Sequence, residues 1–307
     1  MKTIVLGLPY FSKKIAENLS LVDKSNRYVV IDTGAGFGSR IRFVWHIISA
    51  NVLYQVGGSH ICGGSLKLAL FLNKKIVMHW VGTDVQNLQK AYESGTIDSE
   101  LIKKTRHLCE VNWIQNELKE VGIESEISQI ACFEDEISTP MTLPKTFSIL
   151  TYVSSGREEF YGINKIIALA EKYPSIEIRI AGIIKYKNKL PANITLLGWV
   201  NDMADEYRNC TLYLRLAEHD GLAFSVLEAM AHGRHVGYTY AFPYVNQVQN
   251  FSELHKLVAD LLERFKNKEL DMNIKGYEFV STVYGRTAVM QVLSEMLNCS
   301  LLPKKNV

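Results

Sequence analysis

Short apolar runs alternate with amphipathic segments over the first 131 residues of the chain. Runs rich in β-branched residues are typical of strands, and segments with apolar residues three and four positions apart are typical of helices. The pattern predicts strands at 3–7, 28–32, 52–56, 75–80, 111–114 and 126–130, and helices at 13–19, 39–50, 64–72, 99–107 and 116–121. Repeated strand–helix units of this kind favour a parallel, doubly wound sheet.

The alternation stops over residues 132–145, CFEDEISTPMTLPK, which are acidic, contain two prolines and show no periodicity. Such a change predicts a linker between domains. The pattern then predicts strands at 147–153, 176–181, 194–197, 210–216 and 236–240, and helices at 163–172, 203–208, after residue 221, at 252–265 and at 286–297. We therefore predict an α/β protein with domains at 1–139 and 140–285 and a helix in the last segment, 286–307.

Composition narrows the class of protein without identifying it. Hydrophobic residues make up 47% and charged residues 21%, which is typical of a globular protein, and a net charge of +2 is too weakly basic to indicate nucleic-acid binding. No run approaches the ~18 apolar residues of a membrane span, and the N-terminus does not resemble a signal peptide. Five cysteines without metal-ligand spacing indicate free thiols, and hence a cytoplasmic location.

The most informative stretch covers residues 214–236, LRLAEHDGLAFSVLEAMAHGRHV. A strand-like run ends at a polar cluster, and a helix-like run follows, an arrangement that directs helix N-terminal amides at an anion. Asp220 is expected to cap this helix, and Gly221 to allow a ligand close to the backbone. The polar residues of the helix share one face, which lies either in solvent or in a ligand site; they are Gly221, Ser225, Glu228 and His232.

The segment DGLAFSVLEAMAHGRHV resembles the E-x7-E signature of family-4-type retaining glycosyltransferases, with Asp220 and Glu228 at the family spacing and Asp in place of the first Glu. The resemblance implies the GT-B fold, two doubly wound Rossmann-like domains facing each other across a cleft. The first domain would hold the acceptor and the second the nucleotide sugar, and the helix in segment 286–307 would cross back to the first domain. The implied activity is a retaining, metal-independent hexosyl transfer from a nucleotide-sugar donor to a glycan or lipid-linked acceptor. No cofactor is implied, because the nucleotide sugar is a substrate.

The same resemblance assigns donor-binding residues in the second domain. The loop after its first strand carries Arg157, which matches an Arg that grips the donor diphosphate, but Tyr161 takes the place of the family's Lys. A tyrosine cannot supply the missing charge, and we predict that Arg215 does. Glu228 would bind the ribose hydroxyls and Asp220 would act as a catalytic residue beside the sugar. The backbone amides that complete the donor site would be those of Gly221, Leu222, Ala223 and Phe224. The alternative for each charged residue is a structural one, such as a solvated Arg or a salt-bridged Glu.

In the first domain, the HWVGTD turn follows the fourth predicted strand, where ligands of doubly wound sheets bind. We predict a catalytic role for His79 and acceptor-side contacts for Asp84 and His60. The alternatives are a core histidine with satisfied hydrogen bonds and an aspartate at a helix N-terminus.

The segment 39–48, SRIRFVWHII, predicts a sheet-packing helix with two arginines reaching solvent. The less favoured interpretation is a helix that contacts an anionic membrane, which would place the protein at the inner membrane face.

Two other functions stay open. One is a degenerate GT-B protein that binds a sugar or a partner without turnover, and the other is a sugar-nucleotide epimerase. A dehydrogenase is disfavoured, because the run DTGAGFG follows the second strand and lacks GxGxxG spacing.

Overall fold

The computed structural model describes residues 1–135, 140 and 142–299. Within these, the chain forms two compact units, one of Met1–Asp135 together with residues 284–299, and one of residues 140 and 142–283. The predicted domain boundary at residue 139 and the end of the predicted segment 286–307, from residue 300, lie outside the described residues. Each unit is built on one six-stranded sheet in which every pair of neighbouring strands is parallel.

The first sheet has the strand order β2-β1-β3-β4-β5-β6. Its strands are β1 (Lys2–Gly7), β2 (Arg27–Val30), β3 (Val52–Val56), β4 (Lys75–Trp80), β5 (Thr105–Cys109) and β6 (Glu126–Ile127). Its helices are α1 (Pro9–Val22), α2 (Phe37–Ile48), α3 (Gly64–Phe71), α4 (Thr83–Glu93), α5 (Ser99–Lys104) and α6 (Asn112–Glu120). The interior residues of β1, β3 and β4 are almost entirely buried, as expected for parallel strands covered by helices on both faces.

The second sheet has the order β12-β11-β10-β7-β8-β9. Its strands are β7 (Ser148–Tyr152), β8 (Glu177–Ala181), β9 (Ile194–Gly198), β10 (Leu212–Arg215), β11 (His235–Tyr238) and β12 (Asn246–Gln247). Its helices are α7 (Ile163–Lys172), α8 (Ala204–Arg208), α9 (Phe224–Ala231), α10 (Phe251–Lys266) and α11 (Ile274–Val283). The central strands β7 and β10 are buried, and their branched side chains form one core with α7 and α10.

The last helix, α12 (Arg286–Asn298), belongs to the first unit and packs against α1. The Ser294 hydroxyl donates to Asp23 near the end of α1, and the Thr287 amide donates to Asp135 over 2.7 Å. Burial alone would raise the pKa of Asp23, but hydrogen bonds from Ser25, Ser294 and neighbouring groups outweigh it and lower that pKa. This carboxylate therefore stays ionised and ties the end of the described chain to its first helix.

The predicted strand at 111–114 is wrong, and so is the end of the helix predicted at 99–107. The chain enters β5 at Thr105, and α6 begins at Asn112. Sheet pairing decides this, because Arg106 in β5 makes a two-pronged contact with the Glu126 carboxylate of β6, at 2.7 and 2.8 Å. Isolated apolar periodicity cannot reveal such a partner. The pattern also failed to predict α4, α11 and β12.

A buried arginine between α9 and β11 gives a test of this fold. The Arg234 guanidinium is fully buried and donates to the backbone carbonyls of His232 (2.7 Å), Cys210 (3.3 Å) and Thr142 (3.3 Å). Arg234→Ala removes this donor and leaves a cavity, so we expect unfolding free energy to fall by about 3 kcal/mol. Urea denaturation followed by circular dichroism measures it. The control Arg264→Ala removes an exposed arginine paired with Asp260 on α10 and should change the unfolding free energy by less than about 0.5 kcal/mol. Equal losses for the two variants would contradict the structural role of Arg234.

Candidate functional site

Two loops of the second unit meet at the carboxyl edge of its sheet. Strands β7 and β10 pair side by side, so the loops that follow them, 153–162 and 216–223, leave the sheet next to each other. The Glu218 amide donates to the Phe160 carbonyl over 2.9 Å and joins the two loops directly. This edge is where doubly wound sheets bind their ligands.

The loop 216–223 is held from the neighbouring strand β11. The Tyr238 hydroxyl donates to the Gly221 carbonyl over 2.8 Å, and the Asp220 amide donates to the Tyr240 hydroxyl over 3.2 Å. Helix α9 begins only at Phe224 and Ala223 occupies the capping position, so the prediction that Asp220 caps this helix is wrong.

Asp220 instead forms an ion pair with Arg215, the last residue of β10. The Arg215 Nε lies 2.7 Å from the Asp220 Oδ2, and the side chains are only 11% and 17% exposed. Burial alone would lower the pKa of Arg215, but the Asp220 carboxylate outweighs burial and raises it. Arg215 is therefore a fixed cation at the strand end.

The ring of Tyr161 lies against this cation. The Arg215 Cζ is 4.8 Å from the Tyr161 ring centroid and 5.6 Å from that of Tyr152, so the guanidinium is positioned by aromatic rings as well as by Asp220. Tyr161 is the residue that stands where the resembled family has Lys. The structure thus places a cation from β10 beside this tyrosine in the loop after β7.

Arg157 in the same loop is exposed and stacks on a second ring, with its Cζ 3.9 Å from the Phe160 ring centroid. It borders a depression of about 400 Å³ on the surface of the second unit. Lys187 also lines this depression and pairs with Glu159, with 3.3 Å between Nζ and Oε1. The depression therefore combines two cations, two carboxylates and an aromatic wall.

Glu228 lies half-buried in α9, and the buried Tyr207 of α8 donates to its Oε2 over 3.0 Å. Burial raises the pKa of Tyr207 well above its usual value, and the charge of Glu228 adds to the shift. The Tyr207 hydroxyl consequently stays protonated and orients the carboxylate. His232 packs on the other side of this contact, its ring centroid 5.3 Å from that of Tyr207.

His79 does not lie where we predicted. It is fully buried in β4, and the Tyr54 hydroxyl lies 2.9 Å from its Nδ1. Burial lowers its pKa to about 3, although a contact with the Ser128 backbone acts in the opposite direction. The expected cleft-facing catalytic histidine is corrected to a neutral core histidine, because its strand side points into the packed interior.

Asp84 also has a structural environment. Its carboxylate accepts hydrogen bonds from the amides of Val81 (3.1 Å) and Gly82 (2.7 Å) at the start of α4, and from the Gly58 amide. These bonds satisfy the helix N-terminus and connect two loops, which corresponds to the alternative weighed for this residue. The carboxylate is thus committed to backbone donors, whereas an acceptor-side contact for His60 stays a prediction.

The first unit has its own depression, of about 220 Å³, at the carboxyl ends of β1, β2 and β3. Polar groups line it beside the backbone of Leu6 and Gly7; they are Asp32, Thr33, Gln55, Ser59 and Ser65. Hydroxyl, amide and carboxylate groups of this kind bind polyhydroxylated ligands through hydrogen bonds. Four further residues carried no signal in the sequence, because only the fold brings them to these sites; they are Gln55 and Ser65 in the first unit and Tyr207 and Lys187 in the second.

Over residues 1–135, 140 and 142–299, no group of three or more His, Cys, Asp or Glu side chains is placed to hold a metal ion. In the same part of the chain no helix has both the length and the apolar character needed to span a bilayer.

No protein-family profile and no curated protein matches the sequence. Solved structures do match. Sucrose-phosphate synthase from Thermosynechococcus elongatus is 12% identical, with a TM-score of 0.72 over 96% of this chain and 98% of that chain. Anabaena HepE, solved with UDP and glucose, is also 12% identical, with a TM-score of 0.69 over 98% and 100%. A UDP-GlcNAc 2-epimerase from Neisseria meningitidis is 13% identical, with a TM-score of 0.55 over 97% and 99%.

These similarities show the fold. The two parallel six-stranded sheets with their helices match GT-B glycosyltransferases, and the predicted α/β class and GT-B fold are confirmed. The low identities leave the activity of this chain as a matter for proposal.

The burial of His79 predicts a specific dependence of stability on pH. Its folded-state pKa of about 3 lies below the unfolded value of 6.5, so below pH 6.5 only the unfolded chain gains a proton and stability is lost as pH falls. Between pH 6.5 and 4.5 this amounts to at most about 2.7 kcal/mol. We expect His79→Gln to have a flatter stability profile over that window in urea titrations. A His79 ring that titrates near pH 6.5 by NMR in the folded protein would contradict this account.

Proposed function

We propose that this chain is a retaining, metal-independent glycosyltransferase that moves a hexosyl group from a nucleotide-sugar donor to a glycan or lipid-linked acceptor. Three kinds of observation support the proposal. The fold is that of GT-B glycosyltransferases, and one protein of similar structure was solved with UDP and glucose. Asp220 lies in the loop at the carboxyl edge of the second sheet, where it holds the cation Arg215.

The observation that carries the proposal is the position of Arg215. Its guanidinium lies over the Tyr161 ring, beside the position where the resembled family places a lysine for the donor diphosphate. Residue 215 therefore supplies a cation next to the position at which this chain carries Tyr161 instead of that lysine. An arginine at this buried strand end requires a partner, which Asp220 supplies, and the pair leaves a fixed cation beside the loop after β7.

In this proposal the diphosphate lies against Arg157, Arg215 and the amides of Leu222, Ala223 and Phe224. Negative charge develops on the diphosphate as the bond to the sugar breaks. Fixed cations and helix-terminal amides stabilise that charge without reorganisation, which lowers the barrier. Two guanidinium groups then provide the neutralisation that a divalent cation supplies elsewhere.

Glu228 is the proposed ribose ligand, since an ionised carboxylate accepts two hydroxyl hydrogen bonds. Tyr207 orients it from behind. Asp220 acts mainly through Arg215, which it holds in place, so we assign Asp220 a positioning role rather than direct contact with the reacting atoms. Retention follows if the acceptor attacks the face that the diphosphate leaves, with a diphosphate oxygen taking the acceptor's proton.

The depression at the edge of the first sheet is the proposed acceptor site. Asp32 and Gln55 line it with polar oxygen and nitrogen atoms that match sugar hydroxyls. His60 lies in the adjoining loop and remains a proposed acceptor contact. The acceptor's identity is open to a screen of glycans and lipid-linked sugars.

An epimerase is the second candidate, because the Neisseria UDP-GlcNAc 2-epimerase shares the fold. The two activities separate in one experiment. Incubation with UDP-hexoses and UDP-N-acetylhexosamines without acceptor should leave the sugar configuration unchanged, and addition of a suitable acceptor should release UDP. Epimerised donor would establish the alternative, whereas binding without any turnover would indicate a degenerate protein.

The two arginines should affect phosphate recognition selectively. Calorimetry with UDP should show Arg157→Ala and Arg215→Gln each weakening binding by about 1.5–3 kcal/mol, the range for a hydrogen bond to a charged group. Uridine, which lacks the phosphates, should bind each variant almost as it binds the unmodified chain. The control Arg208→Ala, which removes an exposed arginine paired with Asp205, should affect neither ligand. Equal losses for UDP and uridine would remove these arginines from the phosphate site.

A substitution at Glu228 should weaken recognition of the ribose rather than of the phosphates. Glu228→Gln is expected to weaken both uridine and UDP binding by about 1–3 kcal/mol, because a ribose hydroxyl loses a charged acceptor. Tyr207→Phe keeps the carboxylate and should cost less. The exposed helix residue Glu263 provides the control, and Glu263→Gln should bind both ligands normally. Unchanged binding to Glu228→Gln would reject the ribose assignment.

A further inference from the structure

One part of the chain has an unusual distribution of charge. Between Asp32 and Asp84 there is no Asp or Glu over 51 residues, and this interval carries five Lys or Arg; they are Arg40, Arg42, Lys67, Lys74 and Lys75. At the average acid frequency of this chain the interval would hold about five acids. The interval contains α2 and α3, so the first unit presents a basic, acid-free segment although the net charge of the whole chain is only +2.

Helix α2 in this interval exposes a continuous apolar face. Only Phe43 and Ile47 are buried among its residues. At 100° per residue, five large apolar side chains lie together within an arc of about 100° on the exposed surface of the helix. We call them the outer stripe, and they are Phe37 (78% exposed), Ile41 (44%), Val44 (46%), Trp45 (75%) and Ile48 (65%). Phe71, at the end of α3, is exposed as well.

Cations border the outer stripe. On the helix surface Arg40 lies to one side of it and Arg42 to the other, both exposed. At the C-terminal end of α2, the Lys2 ammonium donates to the His46 carbonyl over 3.1 Å, and the Lys74 ammonium donates to the Ile48 carbonyl over 2.8 Å. The helix ends in a basic cluster.

The charges in this cluster shift the pKa of two groups that lie among them. The pKa of His46 is lowered first by burial and then by Lys2, Arg42 and Arg27. The pKa of Lys2 is likewise lowered by burial, and then by Arg27 and Lys74. The neighbours that shift both groups are all positive, so this end of the helix carries a positive potential.

We propose that the outer stripe and its basic border dock onto an anionic lipid surface. A helix that presents Trp and Phe on one side with Lys and Arg at the border matches the interfacial mode of binding, in which apolar groups enter the headgroup region and cations contact lipid phosphates. A second copy of this chain fits less well, because a two-fold contact through the stripe would place Arg40, Arg42 and their neighbours against the same cations. Nucleic acid phosphates would pair with the cations but leave the aliphatic side chains of the outer stripe uncovered.

This inference concerns a surface separate from the proposed donor site and does not rest on the proposed activity. It does reverse the preference from sequence, which favoured a sheet-packing helix with two arginines reaching solvent. Phe43 packs inward as that interpretation requires, but Trp45 and four other apolar side chains do not.

Co-sedimentation of the full chain with lipid vesicles tests the proposal. We expect binding to vesicles of phosphatidylcholine mixed with phosphatidylglycerol, and much weaker binding to phosphatidylcholine alone. Arg40→Gln combined with Arg42→Gln should weaken partitioning about thirty-fold, since each cation near an anionic surface contributes about 1 kcal/mol. Trp45→Ala should weaken it about tenfold, by loss of an inserted aromatic side chain.

The matched control is Trp199→Ala, which removes an equally exposed tryptophan (76%) from the second unit and should leave partitioning unchanged. Thermal unfolding and UDP calorimetry on each variant show that the fold and the donor site are intact, so a failure here is distinct from a failure of the proposed activity. Equal binding to neutral and anionic vesicles, or no binding to either, would overturn the proposal. So would light scattering that shows a dimer which Trp45→Ala dissociates without any vesicle binding.

Discussion

The ion pair between Arg215 and Asp220 determines how the carboxyl edge of the second sheet is arranged. It closes the end of β10, fixes the loop 216–223 and places a cation against the Tyr161 ring. A buried pair of this kind costs desolvation energy, which is recovered only when geometry and hydrogen bonding are good. Here the aromatic rings and the short contact meet that condition. Helix α9 begins at Phe224, directly after this loop.

Two side chains on α8 and α9 form a second, separate element of the proposed donor site. Tyr207 is buried and holds the carboxylate of Glu228, which keeps part of its surface in solvent. The cations and this carboxylate therefore lie on different elements of the second unit and differ in sign. A ligand with a phosphate part and a polyol part matches such a division, and this is the chemical basis of the proposed donor class.

Much of this fold could be predicted from sequence, because strands such as β3 and β4 are continuous apolar runs bounded by polar turns. The spacing of Asp220 and Glu228 and the charge lost at Tyr161 were also readable. What could not be read was which side of a strand faces the interior. His79 and Asp84 follow an attractive pattern, but the first is packed in the core and the second is bound to backbone amides. Tyr207 carried no signal, since its partner lies 21 positions away.

The contact between α12 and α1 has a consequence for the order in which the chain acquires structure. The first unit is discontinuous, since it takes Met1–Asp135 and then residues 284–299. A ribosome that has released the second unit has not yet supplied the helix that holds Asp23 and covers α1. The second unit can complete its core first, although it is encoded later than most of its neighbour. The first unit must wait until the second unit and α12 have both been translated.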